Sequence, residues 1–158
     1  MTTPPNYVKL EFSNLPENVA FARSAAAVFA SRLDFTLDEI DEVKVAASEA
    51  VSNAVVHAYR NGAGPIRMTL EAIGGALVIT VEDDGCGIDD VEWAKQPAHT
   101  TEPDERMGLG LVFIHEYMNE VDIVSRPGRG TRVRMVKRPA RAGGAELRGP
   151  ARGGSARH

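Results

Sequence analysis

The apolar positions along the chain change period several times, and each change marks an element. Residues 7–12, YVKLEF, alternate as a short, partly buried strand. Asn14 followed by Glu17 has the spacing of a helix N-cap and its partner in the first turn, with Pro16 acceptable there, and opens the periodic run NVAFARSAAAVFASRL. The segment DFTLDEIDEVKVAASEAVSNAVVHAY repeats the signal. Thr36 with Glu39 makes a capping box, and Leu37, Ile40, Val43, Ala47, Ala50, Val51, Ala54 and Val55 recur at helical spacing. That helix should stop near Asn61-Gly62. IRMTLEA and ALVITVED then read as a hairpin joined through Ile73-Gly74-Gly75. DDGCGIDD is too rich in glycine and acid to continue the second strand. From Trp93 to Met107 no period is sustained and two prolines interrupt, the pattern of a functional loop. A glycine-bounded helix, GLGLVFIHEYMNEV, follows, and EVDIVSRPGRGTRVRMV reads as two strands about a Pro-Gly-Arg-Gly turn.

Two helices beside strands, then a hairpin, a loop, a helix and a second hairpin predict an α+β fold. The expected form is a two-layer sandwich, with helices on one face of a mixed, mostly antiparallel sheet. A doubly wound dinucleotide fold is disfavoured, because no glycine-rich turn follows the first strand and βαβ alternation is missing. With 158 residues, 43% hydrophobic and 25% charged, the chain is one globular domain's worth. No run approaches the length of a membrane span, and MTTPPNYVKL has neither the basic region nor the apolar run of a signal peptide, so the expected compartment is the cytoplasm. A single cysteine, Cys86, agrees with a reducing environment.

Charge divides the chain. Residues 1–136 hold 12 Lys and Arg against 21 Asp and Glu, a balance of −9, whereas residues 137–158 hold 6 against 1, a balance of +5. An acidic body argues against a nucleic-acid-binding domain. The tail, KRPARAGGAELRGPARGGSARH, has almost no large apolar side chain to offset the entropy of ordering, so the expected organisation is a domain over 1–136 and a solvated basic tail over 137–158.

Three short stretches carry candidate chemistry. Glu49 and Asn53 lie one turn apart on the alanine-rich helix, where a carboxylate and an amide need a partner; a hydrated magnesium ion completed by phosphates would supply one. Asp83-Asp84-Gly85-Cys86-Gly87 ends a strand with a carboxylate able to accept from an exocyclic amine, among glycines that permit close approach. Gly108 and Gly110 open a helix whose first amides form a plausible phosphate cradle. No GxxxxGK[ST] pattern is present, which excludes a P-loop. Each stretch alone also fits an ordinary surface turn or helix start.

In order and spacing, EAVSNAVVHA, DDGCGI and ERMGLGL resemble the three motifs of the ATP-binding (Bergerat) fold shared by gyrase, Hsp90, histidine kinases and MutL, the GHKL superfamily. Over about residues 7–136 the chain further resembles bacterial anti-sigma factors that are also serine kinases, most closely the sporulation anti-sigma F group, through NVAFAR, SEAVSNAVVHAY and AKQPAHTTEPDERMGLGLVFIHEYMNEVDI. The resemblance implies that Asn53 binds the Mg2+ bridging the ATP phosphates and that Glu49 is the general base toward the incoming hydroxyl. It further implies that Asp83 contacts the adenine amine, with Gly85 and Gly87 shaping the base pocket. Gly108 and Gly110 would sit by the phosphates under a lid from residues 94–107, and Thr131 near adenine. Arg106, at the end of that lid, is a candidate phosphate contact. Arg23 matches an arginine used against protein partners. Met107 departs from the small residue usual before that glycine box.

The implied function is an anti-sigma factor that holds a sigma factor, uses ATP and Mg2+ to phosphorylate a serine of an anti-anti-sigma protein, and forms a homodimer. Neither nucleic acid nor membrane is an expected partner. A detached histidine-kinase-type catalytic domain and a non-catalytic ATP-dependent binding module are the alternatives. His57, His99, His115, Cys86 and Trp93 are read as packing, loop or surface residues.

Overall fold

The computed structural model of the protein describes residues 5–60, 62–88 and 104–140, with side chains from 111 onward in the last of these. The elements are β1 (Tyr7–Ser13), α1 (Glu17–Ala30), α2 (Leu37–His57), β2 (Pro65–Ile73), β3 (Ala76–Asp83), α3 (Asp104–Tyr117), β4 (Glu120–Arg126) and β5 (Gly130–Lys137). The strands form one sheet in the order β1-β2-β3-β5-β4, and every described pairing is antiparallel. The expected two-layer α+β sandwich is therefore what forms, without a parallel pair among the described strands.

Local chemistry explains most of the boundaries. Thr36 Oγ1 accepts from the Glu39 amide at 3.1 Å while Glu39 accepts from the Thr36 amide at 2.8 Å, so the capping box satisfies two amides at the start of α2. Gly74 and Gly75 both have positive φ, 58° and 83°, which matches the two-residue turn that best follows the twist of a hairpin, and Ile73 pairs with Ala76. Along β2, Ile66, Met68 and Leu70 are buried; along β3, Leu77, Ile79 and Val81. They meet Val43, Ala46, Ala47, Ala50, Val51 and Ala54 of α2, whose small side chains let this central helix lie close to the sheet and to α1 and α3. Leu111 and Ile114 bring α3 into the same core.

Three local expectations need correction. Asn14 does not cap α1, which starts after Pro16 without a side-chain cap. Its amide instead donates to the Gly62 carbonyl at 3.0 Å and accepts from the Gly64 amide at 3.2 Å, because a side-chain amide can complete both halves of a backbone-like pair. Leu37 is 81% exposed: as the first helical residue it lies short of the buried stripe. Finally, α3 begins at Asp104, not at Gly108. Glu, Arg and Met propagate a helix well, and an acidic residue suits its positive end.

At the C-terminal end of the sheet, Lys137 is buried. Its ammonium donates to Glu42 Oε1 at 2.8 Å and to the Tyr117 carbonyl at 2.6 Å, joining β5, α2 and the end of α3. The Ala140 amide donates to Glu39 at 2.8 Å, so the chain stays attached to α2 beyond the acidic body defined by composition.

Candidate functional site

A cleft opens between α2 and the ends of β3, β4 and β5. It encloses about 490 Å³ counted out to open solvent and is lined by Asn53 and His57 of α2, Asp83 of β3, Thr131 of β5 and Gly87 of the loop after β3. Its remaining walls are apolar, from Ala50, Ala54, Val81, Ile88, Leu111 and Ile123 among others. An apolar slot with a few convergent polar groups is the ordinary form of a small-molecule site.

The polar end is built by backbone packed on backbone. Cys86 donates its amide to the Ala58 carbonyl at 2.7 Å, and Gly128 donates to the Cys86 carbonyl at 2.7 Å. The Ile88 amide donates to Ser125 Oγ at 2.7 Å. The Asp84 amide donates to the Tyr59 hydroxyl at 2.8 Å, which itself donates to the Pro65 carbonyl at 2.6 Å. The glycines make this density possible. A Cβ on Gly85 would stand 2.0 Å from the Ala58 carbonyl oxygen, and one on Gly87, where φ is +79°, would stand 2.3 Å from that of Arg126. Gly85 thus acts from behind the cleft, while Gly87 lines it.

Asp83 is 8% exposed. Burial pushes its carboxyl above the usual carboxylate range, although the Gly85 and Thr131 amides both donate to it and oppose the shift. Asp83 and Thr131 are cross-strand partners, so the register of the sheet itself brings the carboxylate and the hydroxyl together. Gly130 completes the corner, since its Cβ would fall 2.0 Å from the Asp83 carbonyl oxygen.

Of the sequence-derived candidates, Asn53, Asp83, Gly87 and Thr131 therefore converge on one cleft. Glu49 is half-buried one turn from Asn53 and is not among the lining residues. Arg23 is half-exposed on α1, apart from the cleft lining. Gly108 and Gly110 lie inside α3, so their amides are not those of its opening turn. Their surroundings, the Arg106 side chain and the loop of residues 94–103 lie outside the described residues. His57, read from sequence as packing, is part of the lining. Ser125 and Tyr59 were not singled out by sequence, although Ser125 was findable: it and Thr131 are equally far from Gly128 at the centre of the β4–β5 turn.

A family model described as a histidine kinase-like ATPase domain matches residues 12–137. The chain is 43% identical over 133 residues to the anti-sigma F factor of Caldanaerobacter subterraneus, covering 84% of this chain and 93% of that relative. It is also 43% identical over 136 residues to the anti-sigma F factor of Pasteuria penetrans, covering 84% and 91%. Among solved structures, the RsbU and RsbW domains of a Mycobacterium tuberculosis protein match with a TM-score of 0.58 at 20% identity, over 86% of this chain and 32% of theirs. The histidine kinase domain from an Erythrobacter litoralis blue-light activated histidine kinase matches with a TM-score of 0.53 at 21% identity, over 80% of this chain and 61% of that one. These structural matches speak to the fold, and the closer sequence relatives narrow it: the chain belongs to the histidine kinase-like ATPase domain family, among the anti-sigma F factors.

Proposed function

We propose that this protein is an anti-sigma factor that binds and inhibits a sporulation-type sigma factor and uses MgATP to phosphorylate a serine of its anti-anti-sigma partner. The observation that carries the nucleotide part is the convergence of Asn53, Asp83 and Thr131, from three separate elements, on one largely apolar cleft. The names of the anti-sigma F relatives support the sigma-factor part.

In this reading Asp83 accepts from the adenine amine and Thr131 lies beside it, while the apolar walls take the faces of the base. Among the described residues no group of three or more His, Cys, Asp or Glu converges, so a cation here would take most of its oxygens from nucleotide phosphates and water. The amide oxygen of Asn53 fits that set as one further hard ligand. Bound magnesium would offset phosphate charge. Glu49, one turn away, would polarise the serine hydroxyl and take its proton; Gly108, Gly110 and Arg106 would attend the phosphates.

In this reading the domain expected over residues 1–136 extends through Lys137 of β5 to the Ala140 contact with α2, and the basic tail expected over 137–158 begins after it. Arg23 meets the protein partners, the active form is a homodimer, and the compartment is the cytoplasm. No helix among the described residues is long and apolar enough to cross a membrane.

The test is incubation with labelled MgATP and a candidate anti-anti-sigma protein, followed by phosphosite mapping. Acid-stable phosphate on one serine is the expected result. Acid-labile phosphohistidine, or ATP binding without transfer, would replace it with one of the two other readings. Glu49→Ala should lower transfer by about 10²- to 10⁴-fold while ATP binding stays within about twofold, as removal of a general base requires; unaltered transfer would remove Glu49 from that role.

A further inference from the structure

Positive charge is not spread evenly over the acidic body. Of the 12 Lys and Arg in residues 1–136, four fall between Arg126 and Arg134, a stretch that holds no Asp or Glu. That stretch is the end of β4, the turn and the first half of β5. Gly128 and Gly130, both at positive φ, make the turn tight, so Arg126 and Arg129 share one corner of the sheet. Register sets Arg132 opposite Val124, two residues before Arg126 and on the same face, the one turned away from the helices.

Arg126, Arg129 and Arg132 line a shallow groove at that corner, about 670 Å³ counted out to open solvent, together with Val124, Glu82 and Asp84. The two carboxylates do not neutralise them. Asp84 is held at both oxygens by Arg67, and Glu82 lies in register between Arg67 and Arg132. Among the described residues no carboxylate comes within ion-pair distance of Arg126, Arg129 or Arg132, whereas the exposed Lys44 and Arg138 each meet one. Three exposed guanidinium groups thus repel one another with their forks open. Each fork matches a carboxylate through two parallel hydrogen bonds. One exposed pair stabilises little, so recognition here needs several pairs at once.

The surroundings select among anions. Nucleic acid is held through many phosphates in a row, and this corner offers three cations beside two carboxylates on a body with a balance of −9. A short peptide with spaced carboxylates meets no such obstacle. Val124, 43% exposed within the groove, adds an apolar contact that a bare anion would leave unused. We propose that the β4–β5 corner is a docking surface for an acidic polypeptide segment of a protein partner. Arg126, Arg129 and Arg132 take its carboxylates, and Val124 an apolar side chain. This surface is apart from Arg23 on α1 and does not depend on the nucleotide reading of the cleft.

The test titrates the full chain into a fluorescein-labelled peptide of alternating glutamate and valine and reads the anisotropy. Binding should weaken as salt rises. It should fall about tenfold in the combined variant Arg126→Gln, Arg129→Gln, Arg132→Gln, about twofold for each arginine, with Tm unchanged. Arg129→Gln alone, in the turn, should cost about twofold and decides the matter even if the combined variant fails to fold. The tail holds further arginines, so Arg148→Gln, Arg152→Gln, Arg157→Gln is the control and should bind as wild type does. Absence of binding, a loss confined to the tail variant, or displacement of the peptide by MgATP would overturn the proposal. So would tighter binding of an oligodeoxythymidine through the same three arginines, or their replacement splitting a dimer, which would make the corner a contact between copies.

Discussion

The two faces of the sheet meet at adjacent residues, Asp83 and Asp84, and treat the same side chain in opposite ways. Asp83 turns toward the helix layer, where burial raises its pKa and two backbone amides hold it. Asp84 turns to the open face, where the Arg67 guanidinium grips it through both oxygens at 2.8 and 3.0 Å and holds its carboxyl below the usual range. The open face continues this pattern across the strands. Glu11, Arg67, Glu82 and Arg132 follow one another in register on β1, β2, β3 and β5, with opposite charges side by side. Along that row charge is neutralised by neighbours and water. Inside the cleft it is held by the backbone and left available to a ligand.

The sharpest way to break the contrast is to break the backbone packing that makes the inner face. Gly130→Ala places a Cβ 2.0 Å from the Asp83 carbonyl oxygen at a φ of +98°. Denaturant unfolding should show a loss of about 3 kcal/mol or more, and the cleft should lose its ligand with the fold. Next in size, Asp83→Ala should leave a folded chain but weaken ATP binding by about ten- to a hundredfold, the range for a hydrogen bond to a charged group, as read by calorimetric titration.

Acidification sharpens the same comparison, because the two carboxylates enter the pH dependence with opposite signs. The raised Asp83 binds its proton more readily in the fold than in the unfolded chain. Its contribution therefore disfavours the fold as pH rises through its raised range, and relieves it as pH falls. The lowered Asp84 stabilises the fold above its unfolded value, and that contribution is lost as pH falls through the lowered one. ATP affinity should decline on mild acidification before ordinary carboxylates titrate, as Asp83 takes up its proton, and Asp83→Asn should flatten that decline. The smallest effect is expected on the open face. Arg67→Gln removes a partly exposed, solvent-screened pair and should cost about 0.5 kcal/mol, shrinking further in high salt.

Much of the fold was legible because its causes are local. The Thr36–Glu39 box, the paired glycines of the β2–β3 turn and the alternating apolar residues of β2 and β3 act over a few residues, so sequence spacing carries them. The motif order likewise pairs Asn53 with Asp83, and the family resemblance adds Thr131 to them. Asn14 departs from its sequence expectation for the opposite reason. A cap and a long-range clamp need the same side chain, and its partners, Gly62 and Gly64, lie 48 and 50 residues away.

The sequence by itself determined the order of the elements, the α2 cap, the β2–β3 turn, the α+β class and three of the polar residues of the cleft, Asn53, Asp83 and Thr131. Only the tertiary structure decided which of two neighbouring aspartates is buried and why Gly85 and Gly87 must lack side chains. Propensity and periodicity are properties of a short stretch of chain. Burial, backbone contact and long-range hydrogen bonding depend on strand order and register, which exist only once distant segments have packed.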